Sequence, residues 1–264
     1  MLYKNYFRDP TLLGQKLLER ALKLSEKVEI LELAPSGGAD LKRGITAAKG
    51  NLVMPIIKQE ISYGSTAERN FLLACRLDHQ VEHIVAQPFT IRFKIAGNFR
   101  ERQYTPDYLV RKDLSLGATR VCVGSSLSSE VCVEVKRETD LRYMKNRDVE
   151  RLASGFAWGK ANADRDFTTF IDPIKASVEM SWINQLGYLA AEPETEASVL
   201  LRKCLSVDLS MNVSDAWSFL ERSGFDSSQA ERAVILGIAK GWAELDIIGF
   251  PDGNENLRIN PYAR

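Results

Sequence analysis

Val131-Cys132-Val133-Glu134-Val135-Lys136 is an apolar run with two charges set into it, and Tyr104-Thr105-Pro106-Asp107-Tyr108 lies a short way before it. Both segments read as strands. On a strand, residues i and i+2 share a face. Glu134 and Lys136 therefore point one way, with Cys132, while Val131, Val133 and Val135 point the other way, into a core. Charges on an otherwise apolar strand carry a solvation cost unless they face a cleft. Asp107 follows Pro106, whose fixed φ and missing N–H favour a strand end or a sheet edge. Residues 108–130 are long enough for a hairpin that returns Asp107 to the side of Glu134.

Outward from these strands the pattern is mixed. Leucines at 12, 13, 17, 18, 22 and 24 predict an amphipathic helix over 11–29, with Pro35-Ser36-Gly37-Gly38 ending or following it. Residues 42–51 read as a loop with a little basic charge. Ser65 suits an N-cap for a helix over 66–78. Strands are expected near 89–95, 102–110, 120–124 and 131–136, then a helix from Thr139 or Asp140 to about 152 and a strand over 167–171. Helix, strands, helix, strand predicts an α/β domain built on a mixed sheet, over residues 1–175. The character changes after 176. Helices are expected over 195–206, 214–222 and 228–240, capped at Ser214 and Ser227 and stopped at Gly241. Pro251-Asp252-Gly253-Asn254 suits the turn of a closing hairpin. Helix, helix, hairpin is the outline of a winged helix, so 176–264 reads as a second, winged-helix-like domain.

Composition excludes several classes. The 264 residues include 35 basic and 35 acidic side chains, so bulk charge alone does not hold this protein to DNA. Residues 92–112 nevertheless carry six Arg or Lys against two acids, and residues 191–252 carry five against eleven. The first part suits a phosphate backbone and the second a protein partner. No stretch approaches the roughly 18 apolar residues of a membrane span. Cysteines 75, 122, 132 and 204 form no CxxC pair; Cys122 and Cys132 fall in strand-like apolar runs and read as buried thiols in a reducing cytoplasm.

The chemistry follows from residue types. Mg²⁺ takes oxygen ligands and keeps several waters. Asp107 and Glu134 supply such oxygens, and a cation lowers the pKa of a water it holds. Lys136 is placed to orient that water or to neutralise charge growing on a phosphate. This is equipment for phosphodiester hydrolysis, although an ordinary i,i+2 ion pair on a solvated strand has the same sequence. Glu68 is a third acid, in Ser65-Thr66-Ala67-Glu68-Arg69, where it also fits a capping box with Ser65. Gln87 of Gln87-Pro88-Phe89 is either a turn residue or a ligand for phosphate or water. Lys42, Arg43, Lys49, Arg92, Lys94, Arg100 and Arg102 are candidate phosphate contacts or members of a solvated face. His79 and His83 lack further ligands for zinc. No serine or cysteine has a histidine partner for a hydrolase triad, and no GxxxxGK[ST] is present.

Together, Ser65-Thr66-Ala67-Glu68-Arg69, Gln87-Pro88-Phe89, Tyr104-Thr105-Pro106-Asp107-Tyr108 and Glu134-Val135-Lys136 resemble the TnsA family, the endonuclease subunits of heteromeric transposases. The motifs span about residues 50–136, and the nuclease match extends to about 175. The resemblance implies a restriction-endonuclease-like PD-(D/E)xK core. It gives Glu68, Asp107 and Lys136 the family's acid, acid and lysine roles, and makes Glu68, Asp107 and Glu134 the metal ligands. Family members carry Gln at the position of Glu134, whereas here it is an acid, as in restriction enzymes. The resemblance further implies Mg²⁺, with Mn²⁺ able to substitute, and a bacterial cytoplasmic setting. It implies cutting of the 5′ strands at transposon ends in double-stranded DNA. Its partners would be a TnsB-like DDE transposase, which cuts and joins the 3′ ends, and a TnsC-like AAA+ regulator docked by the C-terminal domain. Two other readings fit the same residues: a stand-alone restriction or repair nuclease, and a non-catalytic assembly factor.

Overall fold

Pro106 interrupts what the sequence offers as one strand over 102–110, and the interruption sets the whole sheet. In the computed structural model, which describes residues 12–35, 49–54, 57–116, 123–124, 127–141, 143–172, 178–208, 210–245 and 256–259, the chain forms two units, Met1–Lys175 and Ala176–Arg264. The first unit runs α1 (Leu12–Ser25), β1 (Val28–Pro35), β2 (Gly50–Met54), β3 (Gln59–Tyr63), α2 (Thr66–Cys75), β4 (Val81–Ala86), β5 (Phe89–Ile95), β6 (Arg102–Tyr104), β7 (Tyr108–Lys112), β8 (Glu130–Arg137), α3 (Glu138–Leu141), α4 (Asn146–Lys160) and β9 (Arg165–Asp172). Among the described residues no helix is long and apolar enough to cross a membrane.

The central sheet has the order β4-β7-β8-β9. β7 pairs antiparallel with both β4 and β8, whereas β8 and β9 run parallel, so the sheet is mixed. A parallel pair needs a crossover, and α4 supplies it. On one face Phe71 of α2 packs against Tyr108 and Phe170, with ring centroids 5.1 and 5.6 Å apart. On the other, Leu109, Cys132 and Phe167 join Val149, Leu152 and Trp158 of α4 in a buried cluster with Ile91 and Phe93. β1, β5 and β6 form a second, antiparallel sheet, and β2 pairs with β3.

Several sequence expectations need correction. The first helix ends at Ser25, because the alternating segment from Val28 pairs with β5 instead. Strands β2, β3 and β4 occupy segments that lack strong β signals, although Leu52 and Met54 alternate with exposed Asn51 and Val53. The helix expected from Thr139 is a single turn, α3, followed by α4, whose entry is fixed when Lys145 N–H donates to the Asp148 carboxylate at 2.9 Å. β8 is buried on both faces, Cys132 included, so its charged face opens only towards its end. The strand near 120–124, the basic loop at Lys42 and Arg43, and the turn at Pro251–Asn254 lie largely or wholly outside the described residues.

The second unit contains α5 (Val178–Leu189), α6 (Glu196–Asp208), β10 (Ser210–Asn212), α7 (Val213–Arg222), α8 (Ser227–Ala239), β11 (Ala243–Leu245) and β12 (Asn256–Ile259). The strands form an antiparallel sheet in the order β10-β12-β11. Leu201, Leu205, Leu220, Val234, Trp242 and Leu257 fill its core. The caps sit earlier than the serines suggest. Asn212 caps α7, and Asp226 and Gln229 form a reciprocal box on α8.

Gly155 and Gly159 let α4 lie directly on β9. A Cβ at Gly159 would stand 2.9 Å from the backbone nitrogen of Phe167, which cannot swing aside as a side chain would. Gly159→Ala is therefore expected to destabilise the first unit by about 1–3 kcal/mol, read from denaturant unfolding, despite alanine's better helix propensity.

Candidate active site

The β7–β8 ladder stops with Tyr108 opposite Val133. One step further along the same register stands Asp107 opposite Glu134. Pro106 has no N–H with which to extend the ladder. The Asp107 side chain closes it instead, its Oδ2 accepting the Val135 N–H at 2.7 Å. The Asp107 carbonyl accepts the Gln87 N–H at 2.8 Å. Gln87 reaches it from a left-handed backbone, φ 47°, which few residues other than glycine adopt. A hydrogen bond of 2.8 Å between the Thr90 and Thr105 hydroxyls holds the approach to Pro106.

Glu134 is buried. Its Oε2 accepts the Tyr104 hydroxyl at 2.7 Å, and its Oε1 accepts the Lys136 ammonium. Lys136 is two residues along the same strand, as alternation requires. The structure thus brings Asp107, Glu134 and Lys136 together. It also recruits Tyr104, which the sequence reading passed over. The available signal was a tyrosine on each side of Thr105-Pro106-Asp107.

Charge at this point is unbalanced. Burial, then the neighbouring Glu134 carboxylate, pushes the Asp107 carboxyl well above its ordinary value; Lys136 and the Val135 N–H only partly offset this. Burial pulls the Lys136 ammonium down, but Glu134 and Asp107 outweigh it and leave the lysine above its ordinary value, a firm cation. Burial, then Glu134, also raises the Tyr104 phenol, so it remains a donor. Asp78 is a useful contrast. It too is raised by burial, but its other influences all lower it: buried Lys112 at 3.8 Å and the N–H groups of Val123 and Gln80 at 2.7 and 3.1 Å. Asp78 is a neutralised structural acid. Asp107 faces a second acid with one lysine for both.

Glu68 comes from the first turn of α2. Its carboxylate accepts from the Gly64 N–H at 2.8 Å, the Ser65 hydroxyl at 3.0 Å and the Tyr108 hydroxyl at 3.2 Å, while Ser65 Oγ accepts the Glu68 N–H at 3.1 Å. Ser65 therefore caps α2, while the Glu68 carboxylate takes the Gly64 N–H and the Ser65 hydroxyl and not the Ser65 N–H that a reciprocal capping box would use; it acts on Asp107 only as a lesser charge. Among the described residues, no three of His, Cys, Asp and Glu form a group that could hold a metal ion. Of the basic candidates, Arg92 pairs with Glu32 at 2.6 Å and Glu101 at 2.8 Å, Lys94 lies 3.6 Å from Glu101, and Arg102 pairs with Glu150. Arg100 is exposed and has no carboxylate partner among the described residues. Gln87 contributes its backbone.

Compared with known proteins, the chain matches no family model and no curated protein. The donor set at the end of β8 is a pair of carboxylates with one compensating lysine. Hard oxygens carrying surplus negative charge suit Mg²⁺ or Mn²⁺. Both Glu134 oxygens retain lone pairs beyond those used by Tyr104 and Lys136.

The raised Asp107 carboxyl fixes the sign of a stability test in metal-free buffer. Well below pH 4, the acid is protonated both folded and unfolded, and Asp107→Asn is expected to be neutral. As pH rises past the unfolded value, the folded state keeps more protons and wild type loses ground to the variant. At pH 7 the variant should therefore melt higher, by about 2–4 °C for each kcal/mol relieved. Millimolar Mg²⁺ should raise the wild-type melting point and leave that of Asp107→Asn unchanged. A lower melting point for the variant at pH 7 would make Asp107 a structural acid.

Proposed function

We propose that this chain is a Mg²⁺-dependent DNA endonuclease subunit of the TnsA family, hydrolysing phosphodiesters on the 5′ strands of transposon ends. The observation that carries this reading is Asp107 opposite Glu134 at the end of the β7–β8 ladder, with the Lys136 ammonium on Glu134. Pro106-Asp107 and Glu134-Val135-Lys136 thereby converge in the manner of a restriction-endonuclease-like core. The mixed β4-β7-β8-β9 sheet with α2 and α4 on its faces supports the same fold.

Asp107 and Glu134 would hold the cation, which when bound supplies Lewis-acid charge and lowers the pKa of an attacking water. Lys136 keeps its proton and offers fixed positive charge to the phosphate as negative charge develops there. Proton removal therefore falls to solvent or the substrate and not to this lysine. Tyr104 fixes the rotamer of Glu134 through its 2.7 Å bond. Val135 N–H and Gln87 N–H hold Asp107 from its side chain and its backbone.

The second unit supports a partner-binding role. Its order of α7, α8 and a β11–β12 pair fits a winged helix. The exposed face of α8 offers Ser227, Ser228, Gln229 and Glu231, and Arg232 is paired with Glu192. That face carries little charge for a phosphate backbone. It suits docking to a protein, here a TnsC-like AAA+ regulator, while a TnsB-like DDE transposase would cut the 3′ strands. One observation favours a second reading, a non-catalytic assembly factor: the Glu68 carboxylate is turned into its own helix cap.

A strand-cutting assay separates the two. It uses duplex DNA carrying the element's ends, Mg²⁺ and the partner transposase. Asp107→Ala and Lys136→Ala are expected to lose 5′ cuts by about 100-fold or more while keeping 3′ cuts and partner binding. Tyr104→Phe should lower 5′ cutting by about 10–100-fold through a loosened Glu134. Undiminished 5′ cutting by folded Asp107→Ala protein would sink the nuclease reading and leave the assembly factor.

A further inference from the structure

A cleft of about 650 Å³ lies between the β5–β6 connection and the start of α4, lined by Arg100, Arg102, Arg147 and Arg151 with Glu101 and Glu150. Arg100 and Arg147 are exposed and lack carboxylate partners among the described residues. Arg151 lies 3.6 Å from Asp148, an exposed pair of little strength that another anion can displace. Asn146 and Glu150 also line a second recess of about 400 Å³, where α1 adds Arg20 and Lys23 and the turn after it adds Lys27. The positive surface therefore continues from the β5–β6 connection across α4 to α1.

Two features tie the cleft to the acids. On β6, Arg102 and Gln103 line the cleft while the next residue, Tyr104, bonds Glu134. On α4, the charge of Asp148 acts on Lys136. At the tip of the same β5–β6 connection stands Phe99, 99% exposed. It is carried on a turn with Gly97 at φ 81°, the Asn98 N–H on the Ile95 carbonyl at 2.8 Å and the Arg100 N–H on the Asn98 side chain at 3.0 Å. Among the described residues, nothing covers this phenylalanine, which stands on a braced turn next to an arginine without a carboxylate partner.

Resting on the nuclease reading above, we infer that this cleft grips the backbone of duplex DNA beside the cut, with Arg100, Arg147 and Arg151 on successive phosphates and Phe99 laid against the bases. Phosphate contacts set register and orientation, while an aromatic wedge unstacks a step and bends the duplex towards the protein. The chain has no net charge, so local placement of these arginines must supply the attraction.

The test is binding of a labelled duplex with the full-length protein in EDTA, by fluorescence anisotropy across a range of salt. Arg100→Ala, Arg147→Ala and Arg151→Ala combined should flatten the dependence of log affinity on log salt by about 2–3 and weaken binding about 10–100-fold. Lysine at the same three positions should keep the slope. Phe99→Ala should weaken binding about tenfold at every salt concentration with the slope unchanged. A control that removes three arginines elsewhere, Arg111→Ala, Arg222→Ala and Arg258→Ala, should bind as wild type does. An equal loss in that control, or an unchanged slope in the cleft variant, overturns the groove. So does loss of partner-transposase binding with DNA binding intact, which would make the cleft a protein surface. Wild-type affinity in Phe99→Ala overturns the base contact. Because binding is read without metal, a protein that binds through the cleft and never cuts fails only the nuclease reading. One that cuts normally while the cleft arginines prove dispensable fails only this inference.

Discussion

A side chain completes a sheet that its own backbone cannot. Pro106 removes the N–H that would carry β7 one step further against β8, and the Asp107 carboxylate takes the Val135 N–H in its place. That bond fixes Asp107 opposite Glu134. It therefore also determines that two carboxylates share one corner with a single lysine. The hydrogen bond from Gln87, made from a costly left-handed backbone, shows how tightly the position is specified. Structure and charge are not separable here. The group that ends the ladder is the group left under-neutralised.

The remainder of the first unit frames that corner. α2 covers one face of the sheet through Phe71, and α4 covers the other through Leu152 and Trp158. α4 comes so close because Gly155 and Gly159 present no Cβ to Phe167. Tyr104 and Tyr108 each bury a ring and turn a hydroxyl to an acid, Tyr104 to Glu134 and Tyr108 to Glu68. A tyrosine suits such a place because its body is apolar and its tip is a donor. Asp78 and Lys112 show the other outcome for buried charge in the same unit, a pair with its hydrogen bonds met.

Much of this was legible in the chain. Alternation around Val131–Lys136 placed Glu134 and Lys136 on one face, and Pro106 marked the strand end that brings Asp107 to them. What escaped was set by partners distant in sequence. β1 depends on pairing with β5, so its first residues read as the end of a helix. The burial of Cys132 was readable from its apolar run, but not that α4 is what covers it. Glu68 offered two readings from one spacing; the structure makes the Ser65 cap on the Glu68 N–H, but turns the Glu68 carboxylate to Gly64 N–H and the Ser65 hydroxyl instead of closing a reciprocal box. The α8 cap lies at Asp226, one residue before the serine that spacing favoured, since a carboxylate there meets Gln229. The role of Arg92 could not be read locally either, because one of its carboxylates, Glu32, comes from β1.

The parallel pairing of β8 with β9 has a consequence for how the protein comes into being. β8 holds Glu134 and Lys136, but its second edge is satisfied only when the chain has passed through α4 and returned. Pairings of that separation form late, since the loop must close before any contact rewards it. A partly synthesised chain that has emerged only as far as β8 has the acids in its sequence but no burial to crowd them together and no α4 to cover them. The charge imbalance that defines the corner is thus a property of the finished domain alone. A nascent chain that has not yet released β9 carries the residues of the site without its chemistry.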